Sequence, residues 1–166
     1  MEKILLGSAI AVQLVCSTAS LGETSFGSSG NEELFAVNIT DPDRVIAVGE
    51  HSTVVRTNDG GATWTVQSGI SGDVRLLASS FVDGDVGTAV GESGTILRTT
   101  DGGESWGLQD GGTTVRLSDV SFVDADNGFA VGNEGTILHT GKGTFSEQFS
   151  KNQIPWLAPT RLVAEW

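Results

Sequence analysis

The sequence is short of the residues on which several classes of protein depend. It has one cysteine, Cys16, so no disulfide can form within the chain. It has no tyrosine, which excludes catalysis by a tyrosine nucleophile of its own. Its lysines number only three and its net charge at pH 7 is -12, which argues against binding to nucleic-acid phosphates or to anionic membrane surfaces. Nucleic acid is therefore not expected as a partner.

The N-terminal region differs in composition from the rest of the chain. Residues 4–15 form an interrupted apolar run, shorter than the roughly 18 residues that a membrane helix needs. Small residues follow and offer a cleavage site after Ala19, which favours a signal peptide over residues 1–19; an ordinary buried strand or helix is the alternative. We therefore expect an exported protein (periplasmic, extracellular or on the cell surface) whose mature chain is not inserted in a membrane. Residues 20–33, rich in Gly, Ser and Glu, are predicted to form a flexible linker.

The remaining sequence repeats itself. Residues 57–64, TNDGGATW, and residues 99–106, TTDGGESW, are two copies of one motif, and their tryptophans lie 42 residues apart. The tripeptide Ala-Val-Gly occurs three times, at 47–49, 89–91 and 130–132. A period of about 40 to 50 residues that holds short β-branched segments is typical of propeller blades of about four strands. In the second copy we predict strands over 76–81, 87–91, 95–99 and 105–109.

The repeated motif has a structural explanation. An aspartate can accept hydrogen bonds from the amides of its own turn, glycines permit the tight reversal, and the tryptophan can pack over the hairpin. We therefore assign structural roles to eight residues: Thr57, Asp59, Gly61 and Trp64 in the first copy, and Thr99, Asp101, Gly103 and Trp106 in the second.

The motif Thr/Ser-x-Asp-x-Gly-x-x-Trp resembles the Asp-box, or bacterial neuraminidase repeat. The wider unit is similar to the repeats of the photosystem II assembly and stability factor family, and its most characteristic stretch is residues 117–138, LSDVSFVDADNGFAVGNEGTIL. The resemblance covers roughly residues 34–145 and implies an all-β fold, a β-propeller-type array of about three four-stranded antiparallel blades. Such families include many members without an assigned role, so the resemblance implies a fold more firmly than a function.

Two copies depart from the pattern. The third copy has no Asp-box, and Phe145 stands where a tryptophan is expected. The first copy has His51-Ser52 where the other copies have a glycine in second place, which leaves the type of that turn open.

The array is shorter than a closed propeller, which has about four to eight blades. We place the repeat domain at residues 34–166, with units at about 34–73, 74–114 and 115–149 and a partial fourth unit from about 160. Three possibilities stay open: a fragment of a longer protein, which we favour, an open arc capped by its own ends, or a homo-oligomer whose chains complete the propeller together.

The sequence carries no pattern of catalytic, cofactor-binding or metal-binding residues. Sialidases, which resemble this fold, use a tyrosine nucleophile that the chain lacks. His51 and His139 have no Cys or His companion for a zinc site. The Asp-x-Asp pairs at 41–43, 83–85 and 124–126 raise the question of calcium, but their spacing and ligand number do not fit a calcium loop. We interpret them as turn-forming residues, and we expect neither a cofactor nor a metal.

A partner-binding surface is predicted at one rim of the array. In a four-stranded meander the first-to-second and third-to-fourth connections share one end, so the second-to-third turns lie at the other. This other end would carry Arg75 and Arg116 near the central axis, where guanidinium groups can bind carboxylates or carbonyls of a partner. Pairing of each arginine with a neighbouring acidic residue is the alternative interpretation.

These observations predict a non-catalytic, exported β-propeller repeat protein that acts as a protein-binding or assembly scaffold, with a partner of unknown identity. The alternative is a fragment of a larger glycan-active or glycan-binding Asp-box propeller of the sialidase kind, whose catalytic residues lie outside these 166 residues.

Overall fold

The computed structural model describes residues 32–67, 70–141 and 144–149. Within them the chain forms three four-stranded antiparallel sheets, and in each sheet the strands lie side by side in sequence order. The predicted all-β array of three antiparallel blades is therefore confirmed. The predicted signal peptide, the linker up to residue 31 and the partial fourth unit lie outside the described residues.

The twelve strands divide equally among the three blades. Blade 1 contains β1 (Leu34–Asp41), β2 (Arg44–Gly49), β3 (Val54–Thr57) and β4 (Thr65–Gln67). Blade 2 contains β5 (Leu76–Phe81), β6 (Gly87–Gly91), β7 (Ile96–Thr99) and β8 (Gly107–Gln109). Blade 3 contains β9 (Leu117–Phe122), β10 (Gly128–Gly132), β11 (Ile137–Gly141) and β12 (Thr144–Phe149). In the second copy, each strand bound predicted from the sequence lies within two residues of the observed one.

The blades stack face to face, and their first strands contact one another, β1 with β5 and β5 with β9. One core fills the space between blades 1 and 2, and a second core fills the space between blades 2 and 3. Two hydrogen bonds join the first strands of neighbouring blades near the axis. Asn38 Nδ2 in β1 donates to Ser79 Oγ in β5 at 2.6 Å, and the amide of Phe122 in β9 donates to Ser80 Oγ in β5 at 3.3 Å. The first strands therefore form the inner wall of the array.

The connection from the second to the third strand is the same short 3-10 turn in every blade, at Glu50–Ser52, Glu92–Gly94 and Asn133–Gly135. The second position of each turn has a left-handed backbone, with φ of 52° at His51, 55° at Ser93 and 58° at Glu134. The turn of blade 1, whose type the sequence left open, is therefore the same as the turns of blades 2 and 3. Ser52 takes φ of 53° without glycine, and its buried hydroxyl shares a 2.6 Å hydrogen bond with Ser71 Oγ. In the described part of the chain, no helix is long and apolar enough to cross a membrane.

Candidate functional site

The two Asp-boxes close their hairpins with matching hydrogen bonds. In blade 1, Thr57 Oγ1 donates to Asp59 Oδ1 (2.7 Å) and accepts from the amide of Gly61 (3.0 Å). The amide of Thr63 donates to Asp59 Oδ1 at 2.8 Å. In blade 2 the equivalent bonds join Thr99, Asp101, Gly103 and Ser105 at 2.7, 2.9 and 2.9 Å. The carboxylates are saturated by their own turns, as a structural role requires.

These hydrogen bonds stabilise the charged form of both aspartates. The pKa of Asp59 is lowered to about 2 by hydrogen bonds that its carboxylate accepts. The largest contribution comes from the hydroxyl of Thr63, and the next largest comes from the amide of Thr63. The hydroxyl and amide of Ser105 act in the same way on Asp101 and also lower its pKa to about 2. Both carboxylates are therefore ionised at any neutral pH, which suits a hydrogen-bond acceptor and not a proton donor.

The box tryptophans pack where the sequence placed them, over their hairpins. Trp64 Nε1 donates to the carbonyl of Gly61 at 3.1 Å, and the ring joins a cluster with Leu34, Ala47 and Val55. Trp106 lies edge-on to Phe81, with ring centroids 6.0 Å apart. In blade 3, Phe145 meets Phe122 in the same edge-to-face geometry at 5.9 Å, so a phenylalanine fills the tryptophan position without the box.

The Asp-x-Asp pairs form turns at the same end of the array as the boxes. The first aspartate of each pair accepts the amide two residues on, at 2.9 Å in all three blades. The amides of Gly60 and Gly102 in the boxes donate to the carbonyls of Asp43 and Asp85, which joins the two connections. Among the described residues, no cluster of three or more His, Cys, Asp or Glu side chains has the geometry of a metal site. We call this end the Asp-box rim.

The opposite end is named the turn rim, and it comprises the three 3-10 turns together with Arg75 and Arg116. Its position follows from the register, since Leu76 at the start of β5 pairs with Gly91 at the end of β6. In blades 2 and 3, the residue before the first strand is hydrogen-bonded to the 3-10 turn of the same blade. The amide of Glu92 donates to the carbonyl of Arg75, and the amide of Asn133 donates to the carbonyl of Arg116, each at 2.9 Å. The predicted arginines therefore do lie beside the second-to-third turns, near the axis.

The two arginines differ in their surroundings. Arg75 Nε lies 3.2 Å from Glu50 Oε1 and its Nη1 lies 3.7 Å from Glu92 Oε1, although 54% of the side chain is still exposed to solvent. Arg116 is exposed, and within the described residues it forms no salt bridge. The alternative interpretation of paired arginines thus holds for Arg75 and fails for Arg116.

A shallow depression of about 370 Å³ opens beside Arg75 on the turn rim. Its walls are polar and charged except for one valine: Glu50, His51, Asp73, Val74, Arg75 and Glu92. His51 Nε2 lies 3.3 Å from Asp73 Oδ1, so the histidine is an exposed turn residue with a carboxylate neighbour and is not part of a metal-ligand set. Sequence reasoning missed Glu50 and Asp73 as parts of this surface. The signal for Glu50 was present, since Glu50 and Glu92 follow Ala-Val-Gly at the same repeat position.

His139, the second histidine of the chain, makes an ordinary packing contact. His139 lies on β11 and its ring stacks on Phe129 of β10, with centroids 4.7 Å apart. This is a cross-strand contact on one sheet face and shows no catalytic geometry.

Comparisons with known proteins agree with this architecture. The family model described as photosynthesis system II assembly factor YCF48 matches residues 29–110. The structure of YCF48 bound to D1 peptide is 27% identical, with a TM-score of 0.60 over 69% of this chain and 38% of that chain. YCF48 from Cyanidioschyzon merolae is 25% identical, with a TM-score of 0.59 over 69% of this chain and 39% of that chain. No curated protein matches the sequence significantly.

The chain spans less than half the length of these solved structures, so it corresponds to a part of their array. The resemblance inferred from the boxes and from the stretch 117–138 is confirmed. Over residues 29–110 this chain is similar to the photosystem II assembly factor family, and its fold is that of the Asp-box β-propeller repeats in the solved relatives.

Proposed function

We propose that the chain is a non-catalytic, exported scaffold that binds a protein partner at the turn rim. The observation that carries the proposal is the pair Arg75 and Arg116 at the inner wall of a chain with net charge -12. Arg116 is exposed and has no salt-bridge partner among the described residues. Guanidinium groups bind carboxylates with charge-assisted, often bidentate hydrogen bonds.

The class of partner follows from the chemistry of this rim. The depression beside Arg75 is lined by charged and polar side chains apart from Val74, and it offers too little apolar surface for a lipid or an aromatic ligand. An extended peptide with carboxylate groups would place negative charge on Arg116. The solved relative bound to D1 peptide supports a peptide as the form of the partner.

Export and the absence of catalysis have separate support. Export is supported by the composition of residues 1–19, and absence of catalysis by the lack of tyrosine and by boxes whose carboxylates are saturated. A larger glycan-active or glycan-binding propeller stays the alternative, because the chain spans under half of its solved relatives. A homo-oligomer that completes the propeller also stays a prediction.

Peptide binding to single-site variants tests the proposal. We expect a fluorescently labelled D1 peptide to bind the wild-type chain, and Arg116→Ala to weaken binding roughly 10-fold, since a charge-assisted hydrogen bond is lost. Anisotropy titration measures both dissociation constants. Arg44→Ala is the matched control, because Arg44 lies on the Asp-box rim, where it bonds the carbonyl of Gly84 and the carboxylate of Asp85.

The same titration with a charge-neutral version of the peptide, in which Asp and Glu are replaced by Asn and Gln, separates charge recognition from general adhesion. Equal binding of the two peptides, or equal binding by wild type and Arg116→Ala, would rule out the arginine role. Absence of binding by the wild-type chain would rule out a D1-type partner.

A further inference from the structure

The connection from blade 1 to blade 2 is fixed at both of its ends. Ile70 packs against the core between the two blades. At the other end, the carbonyl of Arg75 accepts the amide of Glu92 at 2.9 Å. Between these points, residues 71–74 pass beside the 3-10 turn of blade 1 and supply part of the wall of the depression. The position of this segment therefore sets the shape of the depression.

Ser52, the last residue of that turn, holds the segment by hydrogen bonds. Its hydroxyl lies 2.6 Å from Ser71 Oγ and donates to the carbonyl of Gly72 at 3.0 Å. Its amide donates to the carbonyl of Val74 at 2.7 Å. Ser52 is buried, so water competes little for these bonds. One serine thus contacts three of the four residues that cross the rim.

The connection from blade 2 to blade 3 has glycines where this one has two serines. Gly94 stands at the position of Ser52, as the last residue of its turn. Gly112 stands at the position of Ser71, since each lies four residues before the arginine that precedes the first strand. Here the backbones approach each other directly, because a Cβ built on Gly94 would clash with the carbonyl oxygen of Thr113. The serine pair therefore spaces its connection away from the turn by the length of a side chain.

The serine at position 52 has a backbone cost that a glycine would not have. Its φ of 53° lies in the left-handed region, which disfavours residues with a Cβ. Gly94 and Gly135 take φ of 70° and 69° at the same position without that cost. Strained residues persist where the surrounding contacts determine their conformation, and they concentrate at binding sites. The contacts of Ser52 with the connection explain the serine, whereas the turn alone would favour glycine.

We propose that Ser52 is a positioning residue of the partner-binding surface on the turn rim. Its side chain keeps the connection away from the turn, which keeps the depression open and presents Arg75 to a carboxylate of the partner. This inference rests on the function proposed for the rim, and it adds a residue that sets the geometry of one of the two arginines. In the described part of the chain, the hydrogen bonds of Ser52 do not extend to Arg116 of the next blade.

Peptide binding to Ser52→Gly tests the proposal. The variant removes the hydroxyl and also the left-handed strain, so we expect the Tm to change by less than about 3 °C. The dissociation constant of the labelled D1 peptide, measured by anisotropy titration, should rise roughly fivefold, because Arg75 is no longer held in place. Ser93→Gly is the matched control, since Ser93 is exposed and has a similar left-handed backbone, with φ of 55°. This control should bind the peptide like wild type.

A double-mutant cycle separates positioning from a general effect on the fold. Arg75→Ala should weaken binding in the wild-type background and add less than about twofold in the Ser52→Gly background, because both changes remove the same contact. Arg116→Ala should weaken binding by the same factor in both backgrounds. Ser71→Ala should reproduce the effect of Ser52→Gly, and Ser71→Thr, which keeps a hydroxyl, should bind like wild type.

Wild-type affinity in both Ser52→Gly and Ser71→Ala would overturn the positioning role. The function proposed for the rim would then still stand if Arg116→Ala weakened binding. A loss of the Arg116 contribution together with that of Arg75 in the Ser52→Gly background would also overturn it, as would a fall in Tm of more than about 6 °C, since the serine would then serve the fold. Absence of binding by the wild-type chain would overturn both proposals.

Discussion

The glycine that ends each second strand is required by the close approach of two backbones. A Cβ built on Gly91 would clash with the carbonyl oxygen of Arg75, and one on Gly49 or Gly132 would clash with the carbonyl of Glu33 or Arg116. These carbonyls accept the amides of Glu50, Glu92 and Asn133 at 2.9 Å. Ala-Val-Gly ends in glycine in all three copies because this hydrogen bond leaves no room for a side chain.

Substitution of Gly91 tests this account of the tripeptide. We expect Gly91→Ala to lower the free energy of unfolding by about 1–3 kcal/mol, the usual cost of forcing atoms into a packed site. Gly141→Ala is the control, since a Cβ at Gly141 meets no atom within 4 Å. Urea denaturation followed by circular dichroism measures both variants. Equal stabilities would show that the backbones can separate without cost.

At the scale of elements, the Asp-box was predictable because its hydrogen bonds lie within eight consecutive residues. Thr57, Asp59, Gly61 and Thr63 bond to one another, so the sequence contains the whole unit. Two other elements were less predictable. Ser52 keeps a turn that elsewhere uses glycine, because its hydroxyl bonds Ser71 from a distant loop. The hairpin of blade 3 keeps its aromatic contact through Phe145, which depends on Phe122 in another strand.

The lowered pKa values of the box aspartates predict an acid-sensitive element. A folded-state pKa of about 2 against an ordinary 3.8 means that the boxes stabilise the fold fully above about pH 4 and lose this effect as the pH falls toward 2. We expect Thr63→Ala with Ser105→Ala, which removes the hydroxyl donors, to lower the Tm at pH 7 by a few degrees and to reduce its further fall between pH 4 and pH 2. Thermal melts across this range measure both quantities. A fall in Tm identical to that of wild type would contradict the account.

At the scale of the whole molecule, burial depends on which blade stands next to a residue, and a single sequence position does not reveal it. Phe129 and Ile46 hold the same place in their sheets, yet one is half exposed and the other is buried. The same holds for the arginines. The end of the array at which the arginines lie was predictable, since it follows from the order of connections in a meander. The pairing of Arg75 with Glu50 was not, because it joins residues of two blades across the inner wall.

The central claim is that the arginines of the turn rim bind carboxylates of a partner. Glu92 Oε1 lies 3.7 Å from Arg75 Nη1, so it competes with a carboxylate of the partner for this arginine. Its negative charge also repels an acidic peptide. Glu92→Gln keeps the acceptor that faces the amide of Arg75 and removes only the charge.

The most direct measurement is the dissociation constant of the labelled D1 peptide for Glu92→Gln against wild type, at low salt where charge effects are largest. The account predicts that the variant binds the peptide more tightly, by roughly two- to fivefold, consistent with an exposed pair worth under about 1 kcal/mol. Weaker or unchanged binding would contradict the claim, since a rim that does not use its positive charge gains nothing when a competing negative charge is removed.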